Sequence, residues 1–593
     1  KFYWQADTEN ARYILFVGAN LFEANYGPTN RTVRLSENLV NKRTKIAVVD
    51  PRYSKLASKA ETWLPIKPGE DAALAMAMIR WMIDNKRYDA KFLKSANAAA
   101  AKENNETSYT NATWLVEIKD GKPGKFLRAV DVALAVADKR TIPDPKDKEK
   151  TIEYVEKFML VMKDGKPAVF DPNDKKEAVM GDLFVDSEIV GPAGKTVKVK
   201  SSLQILKESA YEHTFDEWCA IAGINSNDAL HVVKQLTSYG KRAGVDVHRG
   251  PAQHTNGFYN IFAWMSVNML LGNFDWKGGM SSPSTYSYDG SKGGVFKLAD
   301  YPGKLKGFGL SIIRHEKKYE ETTIFEGYPA KRNWYPLASD VYEEIVPSIG
   351  EAYPYAVKAL FLYKGTPVYA LPAGHTNIDV LSDVNKLPLF FVSDVTVGTT
   401  SMYADYIFPD LTFLERWEFQ GSHPNMPHKV APIRQPVVGP IPEAVNVYGE
   451  EVPISLESTL MALSEKLGLK TFGKNALGEN LDLNRPEDFY LRAVANFAAG
   501  EKPEMADAVP DAGQKEIEIF LKSRRHLPAT VFDEVKWKNI VGEKMWPKVI
   551  YLLNRGGKFE EHAKSFAGKR LKNRYGKLLN LYQVPKLLIQ IYK

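Results

Sequence analysis

The sequence predicts an α/β fold in which short apolar strands alternate with helices in two separate units. In the first unit, residues 13–79, two apolar runs at 14–17 and 46–49 flank a polar segment as long as the connections between parallel strands. A second unit with strands of the same kind covers residues 357–415. Residues 96–202 are polar and irregular, which is typical of an insertion of hairpins and loops. The expected class is therefore two Rossmann-like domains with a loop-rich insertion.

In the first unit, polar or turn-forming residues follow each predicted strand. Gly18 and Asn20 follow the first strand, and the sequence DPR (50–52) follows the second. Neighbouring parallel strands end at one edge of a sheet, which is where open α/β sheets bind nucleotides. The sequence KPGED (67–71) then starts a helix, with proline and acidic residues in its first turn.

Composition excludes several classes of protein and site. A length of 593 residues suggests about four domains at ~150 residues each. The net charge of +7 is small for this length and is spread along the chain, so it favours anionic ligands over nucleic acid. Cys219 is the one cysteine, which excludes an intrachain disulfide and a cysteine-ligated cluster within these residues. No apolar run reaches the ~20 residues of a membrane span.

Three motifs in order, GAN (18–20), VVDPR (48–52) and PGEDAAL (68–74), resemble those of the molybdopterin oxidoreductase family. These dimethyl-sulfoxide-reductase-like enzymes hold molybdenum or tungsten between two pterin guanine dinucleotides. The resemblance implies that one dinucleotide is bound by Gly18, Asn20, Asp50, Arg52, Gly69 and Asp71. The first two residues would line the diphosphate turn, and Asp50, Arg52 and Asp71 would surround the guanosine. A carboxylate suits guanine because it accepts both the ring N–H and the exocyclic amine.

The loop HRGPAQHTNG (248–257) carries a second set of candidates. A helix that is apolar on nearly every face, 258–271, is expected to present this loop rigidly. The matching family loop passes beside the pterins near the metal, so the resemblance makes Gln253, His254 and Asn256 contacts of the cofactor. Arg249 is the candidate contact for an oxyanion, and Arg249 and His254 are the catalytic candidates. His254 taken alone is equally consistent with a hydrogen-bonded core histidine.

The second unit resembles the other pterin-binding domain of the family. Its strands end in Gly-Thr-Pro and Ser-Asp-Val-Thr and are followed by TSMYADYIFPD (400–410). The resemblance implies contacts with the second dinucleotide from Gly365, Pro367, Asp394, Thr396, Thr400, Asp405 and Glu415. The glycine and proline would lie at the diphosphate turn, and Asp394 and Thr396 beside the guanosine or its ribose. Asp405 and Glu415 are expected to be structural or to contact the pterin.

The predicted domains are residues 1–285, with the insertion at about 96–202, residues 286–480, and a helical, loop-rich segment 481–593. The family's N-terminal iron–sulfur domain and C-terminal barrel-like domain are not recognisable, so we expect the chain to be the middle of a larger subunit. The residue that ligates the metal is expected outside these residues. His423 and His428 lack a cysteine or a nearby carboxylate in sequence, which favours a loop over a metal site.

The resemblance implies a molybdenum or tungsten enzyme with two molybdopterin guanine dinucleotides that acts on tetrathionate, thiosulfate, polysulfide or sulfite. Serine, threonine and tyrosine occupy 281–288, where formate dehydrogenases carry an arginine-containing element, which counts against formate. The implied electron carriers are 4Fe–4S clusters, in a missing N-terminal region or an iron–sulfur partner subunit. A membrane anchor subunit is also implied, in a membrane-associated complex on the periplasmic rather than the cytoplasmic side.

Three alternatives remain at this point. The first is an arsenate or arsenite oxidoreductase of the same family. The second is a cofactor-free structural homologue in a respiratory complex, which the missing cysteines favour and the guanosine-type acids oppose. The third, a plain nucleotide-dependent dehydrogenase, lacks a GxGxxG turn in this sequence.

Overall fold

Within the residues that it describes, the structure, a computed structural model, divides into two compact units. Those residues are 4–23, 30–135, 138–144, 147–156, 158–192, 194–254, 256–282, 284–305, 345–353, 355–371, 373–419, 427–440, 443–572 and 575–582. Unit 1 comprises Lys1–Ser284, Ser422–Lys429 and Glu561–Lys593, and unit 2 comprises Thr285–Gly421 and Val430–Glu560. Both units combine helices with strands, which agrees with the predicted α/β content.

The last part of the chain divides differently from the predicted segment 481–593. Residues up to Glu560 belong to unit 2 and the residues after it to unit 1. Strand Gly557–Phe559 pairs antiparallel with Val430–Arg434, and helix Trp546–Asn554 packs on Pro486–Ala499. These contacts join segments that are far apart in sequence, so composition alone does not reveal the division.

A parallel sheet forms the centre of unit 1. Its strands are β1 (Tyr13–Val17), β2 (Lys45–Val49), β3 (Thr62–Leu64) and β4 (Ala243–Val247), in the order β4-β1-β2-β3. The register pairs the last residues of the four strands with one another, so their carboxyl ends are level. Strand order reverses between β1 and β4, and such a reversal is the point where open α/β sheets bind ligands.

Four helices position the loops at this edge. They are α1 (Asn30–Val40), α2 (Asp71–Asp84), α3 (Arg249–Ala252) and α4 (Gly257–Leu271). Helix α4 packs against α2, and Trp264 at its centre is fully buried. The predicted apolar helix at 258–271 is thereby confirmed. Its first residue is Gly257, where a Cβ would clash with the carbonyl oxygen of Ala252, so a larger residue does not fit.

Further helices complete the core of unit 1. They are Ala90–Lys94, Ala98–Glu103, Ser202–Ala210, Phe215–Ala222 and Ser226–Ser238. Cys219 is fully buried in the fourth of these, and burial raises the pKa of its thiol to about 11. Cys219 is therefore a buried thiol that stays protonated at neutral pH.

The insertion of unit 1 consists of antiparallel strands. Leu115–Lys119, Lys122–Phe126, Asp186–Val190 and Thr196–Ser201 form one sheet. Two separate hairpins are Asp138–Asp144 with Asp147–Glu156, and Met159–Lys163 with Lys166–Phe170. Two residues join Leu115–Lys119 to Lys122–Phe126, and two join Met159–Lys163 to Lys166–Phe170.

Unit 2 contains a smaller parallel sheet. Its strands are β5 (Leu360–Tyr363), β6 (Phe390–Asp394) and β7 (Tyr406–Pro409), in that order. Helices α5 (Leu456–Lys466) and α6 (Pro486–Ala499) follow this sheet in the chain. The other longer helices of the unit are Gln514–Arg524, Glu534–Val541 and Trp546–Asn554.

The end of the unit 2 sheet is fixed by a buried carboxylate, Asp410, which follows β7. The carboxylate lies 2.7 Å from Nη1 of Arg416 and 3.1 Å from Nζ of Lys364, and accepts a 3.0 Å hydrogen bond from the backbone N–H of Leu456. Burial alone would raise the pKa of Asp410, but the Leu456 N–H, Lys364 and Arg416 lower it below its usual range. Asp410 is therefore an ionised anchor in the native state.

The same network reaches both helices beside the sheet. Nη2 of Arg416 lies 3.2 Å from the carboxylate of Glu457 in α5, and the hydroxyl of Tyr490 in α6 donates to that carboxylate at 2.8 Å. The network thus joins the last strand of the sheet to α5 and α6.

No helix in the described part of the chain has both the length and the apolarity for a membrane crossing.

Replacing Asp410 by asparagine is expected to lower the unfolding free energy by about 3–5 kcal/mol at pH 7, because Arg416 loses its buried anion. A lowered native-state pKa stabilises the fold above the unfolded-state value of 3.8, and this stabilisation is lost as the pH falls through the native-state pKa. The deficit of Asp410→Asn should therefore shrink below about pH 4, as measured by thermal unfolding at pH 7 and pH 3. Asp379→Asn, at an exposed aspartate of unit 2, is the control; equal deficits at both pH values would contradict the assignment.

Candidate functional site

Two glycine-containing turns meet at the point in unit 1 where strand order reverses. Gly18 follows β1 with a φ of +54°, and Gly250 follows β4. The backbone N–H of Gly250 donates to the carbonyl oxygen of Gly18 at 3.1 Å. A Cβ on Gly18 would clash with Cδ of Pro251 and lie 2.7 Å from Cα of Gly250, so a larger residue does not fit. The predicted diphosphate turn therefore lies at the reversal point.

A buried carboxylate, Asp71, lies at the same edge of the sheet. Its side chain belongs to the first residue of α2, and the residue is 4% exposed. Burial raises the pKa of Asp71 to about 6, while the neighbouring His254 opposes this shift and Glu70 and Asp50 add to it. Among the described residues no lysine or arginine compensates this carboxylate. His254 is thus the neighbour that favours the ionised form, and a buried carboxylate with so little compensation is a candidate ligand-binding group.

The half-buried Asp50 lies directly after β2. Its Oδ1 accepts a 2.9 Å hydrogen bond from the backbone N–H of Arg52, and its carbonyl oxygen accepts one of 2.8 Å from Trp63. These bonds hold the turn rigidly, and Asp50 is close enough to influence the pKa of Asp71. The two predicted guanosine acids thus share one part of the edge.

Glu23 connects two predicted contacts and was not identified in the sequence. Its carboxylate accepts a hydrogen bond from the side-chain amide of Asn20 and lies 2.7 Å from Nη2 of Arg52. The bond from Asn20, followed by attraction to Arg52 and Lys55, lowers the pKa of Glu23. The Oδ1 atom of Asn20 is buried and has no hydrogen-bond partner among the described residues. Asn20 therefore presents an acceptor at the turn.

The loop after β4 brings the candidates from the second motif to the same edge. Arg249, Gln253, His254 and Asn256 are all exposed, and Thr255 lies outside the described residues. A Cβ built on Gly69 would lie 3.9 Å from Nδ1 of His254. The side-chain amide of Asn256 donates to the carbonyl oxygen of Gly69 at 2.8 Å. The structure thus places His254 beside Asp71 and the loop that precedes it. Arg249 is the first residue of α3.

Asn260 also contributes to this region, although sequence reasoning treated it as part of an apolar helix. It is fully buried, and its side chain bonds to the backbone of Ala72 and Pro251 and to the side chain of Asn256. The signal in the sequence was an amide one turn into a mostly apolar helix, which also carries Ser266 and Asn268. Such a group needs buried partners, but the sequence does not identify them.

In unit 2, some predicted contacts lie at the carboxyl ends of the strands. Gly365 and Pro367 follow β5, and Asp394 ends β6. Asp394 is half-buried, and its Oδ1 accepts a 2.7 Å hydrogen bond from the backbone of the next residue. Thr396 is exposed two residues further on. These four residues therefore lie at or just after the carboxyl ends of β5 and β6, and their contact with a nucleotide stays a prediction.

Three other predicted contacts in unit 2 make bonds that hold the fold. Thr400 is buried, and its hydroxyl accepts from the backbone of Val368 at 3.1 Å. The carboxylate of Asp405 accepts from the backbone of Phe390 at 2.7 Å, and that of Glu415 accepts two 2.7 Å bonds from Thr412. Asp405 and Glu415 were expected either to be structural or to contact the pterin. A structural role accounts for the bonds described here.

The described residues contain no cluster of three His, Cys, Asp or Glu side chains arranged to hold a metal ion. His423 lies outside them. The ring of His428 contacts that of His562 edge-on, with centroids 5.7 Å apart. A second imidazole is therefore near His428 in space, although the two are far apart in sequence.

The groups at the unit 1 edge fit the guanosine and diphosphate of a pterin dinucleotide. Asp71 is a buried carboxylate, which matches the adjacent N–H groups of guanine. Gly18 and Gly250 leave no room for side chains at the turn, and Asn20 presents an acceptor beside it. The edge is thus chemically suited to this ligand.

Comparisons with known proteins agree with the motifs. A family model described as molybdopterin oxidoreductase matches residues 3–445. The chain is 45% identical over 580 residues to a subunit of the selenate reductase of Mesobacillus selenatarsenatis, covering 97% of this chain and 53% of that protein. It is 32% identical to a subunit of the tetrathionate reductase of Salmonella typhimurium, with coverages of 97% and 54%. For the corresponding tetrathionate reductase protein of Archaeoglobus fulgidus, the identity is 30% and the coverages are 95% and 48%.

The chain spans about half the length of these curated relatives. Tetrathionate reductases were among the relatives that the motifs indicated, and this expectation is confirmed. A selenate reductase was not among them, so the expected range of substrates was too narrow to include this relative. Since the family model matches well over half of its residues, this chain belongs to the molybdopterin oxidoreductase family.

Proposed function

We propose that this chain binds two molybdopterin guanine dinucleotides, one in each unit, within an enzyme that reduces an oxyanion of selenium or sulfur. The observation that carries the proposal is the edge of the unit 1 sheet. There the buried Asp71 lies on the same sheet edge as the Gly18 turn. A cofactor-free homologue would have no use for a buried, uncompensated carboxylate at this place.

In unit 1, the protein residues bind and orient the nucleotide end of the cofactor. Asp71 accepts the ring N–H and the exocyclic amine of guanine, with Asp50 and Arg52 beside it. Gly18 and Asn20 line the diphosphate, and Gly69, Gln253 and Asn256 complete the contact region. Because the pKa of Asp71 is about 6, its carboxylate is ionised and able to accept both bonds at neutral pH.

In unit 2, Gly365, Pro367, Asp394 and Thr396 hold the second dinucleotide. Support comes from their position at the ends of β5 and β6. Thr400, Asp405 and Glu415 act indirectly, because their hydrogen bonds fix the loops around these ends. When bound, the pterin-held molybdenum or tungsten supplies the two-electron redox chemistry and the transfer of an oxygen or sulfur atom.

The substrate is proposed from the relatives and from one exposed cation. Selenate and tetrathionate are the substrates in the names of the relatives, and both are dianions. Arg249 is exposed at the start of α3, and a guanidinium binds oxyanions through paired N–H groups. We assign Arg249 to substrate binding and His254, which lies beside Asp71, to proton exchange at the same edge.

The proposal extends to the electron-transfer partners and the location of the enzyme. The relatives are named as single subunits of their enzymes, which supports partner subunits for this chain. The proposed partners are an iron–sulfur protein with 4Fe–4S clusters and a membrane anchor, in a membrane-associated complex on the periplasmic side. Cys219 is the one cysteine in the sequence, so cluster ligands must come from outside these 593 residues.

The purified enzyme complex is expected to release two GMP per molybdenum or tungsten on acid hydrolysis.

Asp71→Asn should weaken retention of one nucleotide by about 10–100-fold, because one charge-assisted hydrogen bond is worth about 1.5–3 kcal/mol. Wild-type retention should fall as the pH drops below about 6, where Asp71 gains a proton and loses an acceptor. Asp84→Asn, at the exposed far end of α2, is the matched control. Metal without GMP would disprove the dinucleotide assignment.

A substrate screen with a reduced dye as electron donor should show turnover of selenate or tetrathionate. The expected order of preference follows identity, with selenate first. Thiosulfate, sulfite and arsenate belong in the same screen because the motif resemblance includes enzymes for all of them. Turnover of arsenate alone would favour the arsenic branch, and oxidation of formate would contradict the proposal.

Arg249→Ala should raise the KM for the dianionic substrate by about 10–100-fold, because a charged hydrogen bond is lost, while metal and GMP contents stay at wild-type values. Arg249→Lys should recover part of the binding, since it keeps the charge without the paired N–H groups. Arg242→Ala, just before the opposite end of β4, provides the control. Wild-type KM and kcat in Arg249→Ala would exclude the arginine from the site.

A further inference from the structure

The side chain of Asn260 makes three hydrogen bonds at the edge of the unit 1 sheet, and both of its donors are used. It is fully buried one turn into α4. Its Oδ1 accepts from the backbone N–H of Ala72 at 3.1 Å. Its Nδ2 donates to the carbonyl oxygen of Pro251 and to Oδ1 of Asn256, each at 3.1 Å. One side chain therefore joins three separate pieces of backbone and loop.

The bond to Ala72 replaces a helix cap that α2 lacks. The N-cap residue Glu70 makes no side-chain capping bond, so the first N–H groups of α2 need acceptors from elsewhere. Asn260 supplies one of these acceptors from another helix, at the residue after Asp71. The backbone that carries the Asp71 carboxylate is thereby fixed relative to α4.

The bond to Pro251 acts on the opposite end of the site. Pro251 is the residue whose ring approaches Gly18 most closely, and Gly250 beside it bonds directly to Gly18. Asn256, which Asn260 also contacts, donates in turn to the carbonyl oxygen of Gly69. The same amide group therefore fixes the turn at Gly18 and the loop before Asp71.

We propose that Asn260 is a positioning residue that keeps the guanosine-binding carboxylate of Asp71 in register with the diphosphate turn at Gly18. This inference rests on the proposed function of the site. Asn260 is fully buried behind both loops and acts through them without touching the nucleotide. It thereby sets the distance between the two places at which one rigid ligand is held.

Asn268, two turns further along α4, is a control for Asn260 within the same helix. It is equally buried, and its side chain makes two 2.9 Å bonds to the backbone of Val245 in the middle of β4. Neither bond reaches the carboxyl edge of the sheet. Loss of Asn268 should therefore lower stability without a specific effect on the nucleotide.

The experiment is a double-mutant cycle in the full enzyme complex, with retained GMP per metal after gel filtration as the readout. Asn260→Ala is expected to reduce retention about tenfold. The double variant of Asn260→Ala and Asp71→Asn should retain about as little GMP as the more severe of the two single variants. The reason is that Asp71 is already misplaced when Asn260 is absent. Asn268→Ala should keep wild-type retention, and its combination with Asp71→Asn should show the effect of Asp71→Asn alone. Asn260→Ser, which keeps a small polar group and introduces no buried charge, should give an intermediate value and serves if Asn260→Ala does not fold.

Additive losses for Asn260→Ala and Asp71→Asn, or equal retention in the Asn260 and Asn268 variants, would overturn the positioning role. A wild-type complex that contains metal but no GMP would instead refute the proposed function on which the inference rests. Thermal unfolding of all variants separates the two kinds of failure from simple instability.

Discussion

The level carboxyl ends of the four parallel strands in unit 1 determine where every candidate contact of the first site lies. Parallel pairing aligns Val17, Val49, Leu64 and Val247, so the turns after these strands meet at one edge. The direct backbone contact between Gly18 and Gly250 then fixes the separation of two of these turns. Helices α2 and α4 add the buried residues that hold the loops from behind. The site is therefore a consequence of strand register and of the absence of side chains at two positions.

Two aspartates show how the surroundings of a carboxylate distinguish a structural role from a ligand-binding role. Asp410 in unit 2 is fully buried between Arg416 and Lys364, and its pKa lies below its usual range. Asp71 in unit 1 is similarly buried but has no such partners among the described residues, and its pKa is raised. The first carboxylate is satisfied within the protein. For the second carboxylate only His254 opposes the effect of burial, and this difference supports the proposed role of Asp71 in ligand binding.

Much of the local structure could be predicted from residue patterns. The strands at 13–17 and 45–49, helix α2 and the apolar helix α4 follow from apolar periodicity and from Gly, Pro and acidic residues at their ends. The roles of Thr400, Asp405 and Glu415 could not be decided in this way. Their motif matches a cofactor-binding family, yet their side-chain atoms bond to nearby backbone in unit 2. A motif identifies residue types and spacing but not which partner each polar atom meets.

The sequence by itself determined the family, because the family is indicated by ordered motifs. It also indicated which glycines form turns and which aspartates, Asp50 and Asp71, are candidate contacts, because these depend on local backbone requirements and on the motifs. Only the tertiary structure decided that Glu23 joins Asn20 to Arg52, that His254 lies beside Asp71, and that Asn260 links the loops. It also assigned the residues after Glu560 to unit 1. These features arise from contacts between segments far apart in the chain. Such contacts depend on how helices pack on the sheet, and no local pattern of residues encodes that packing.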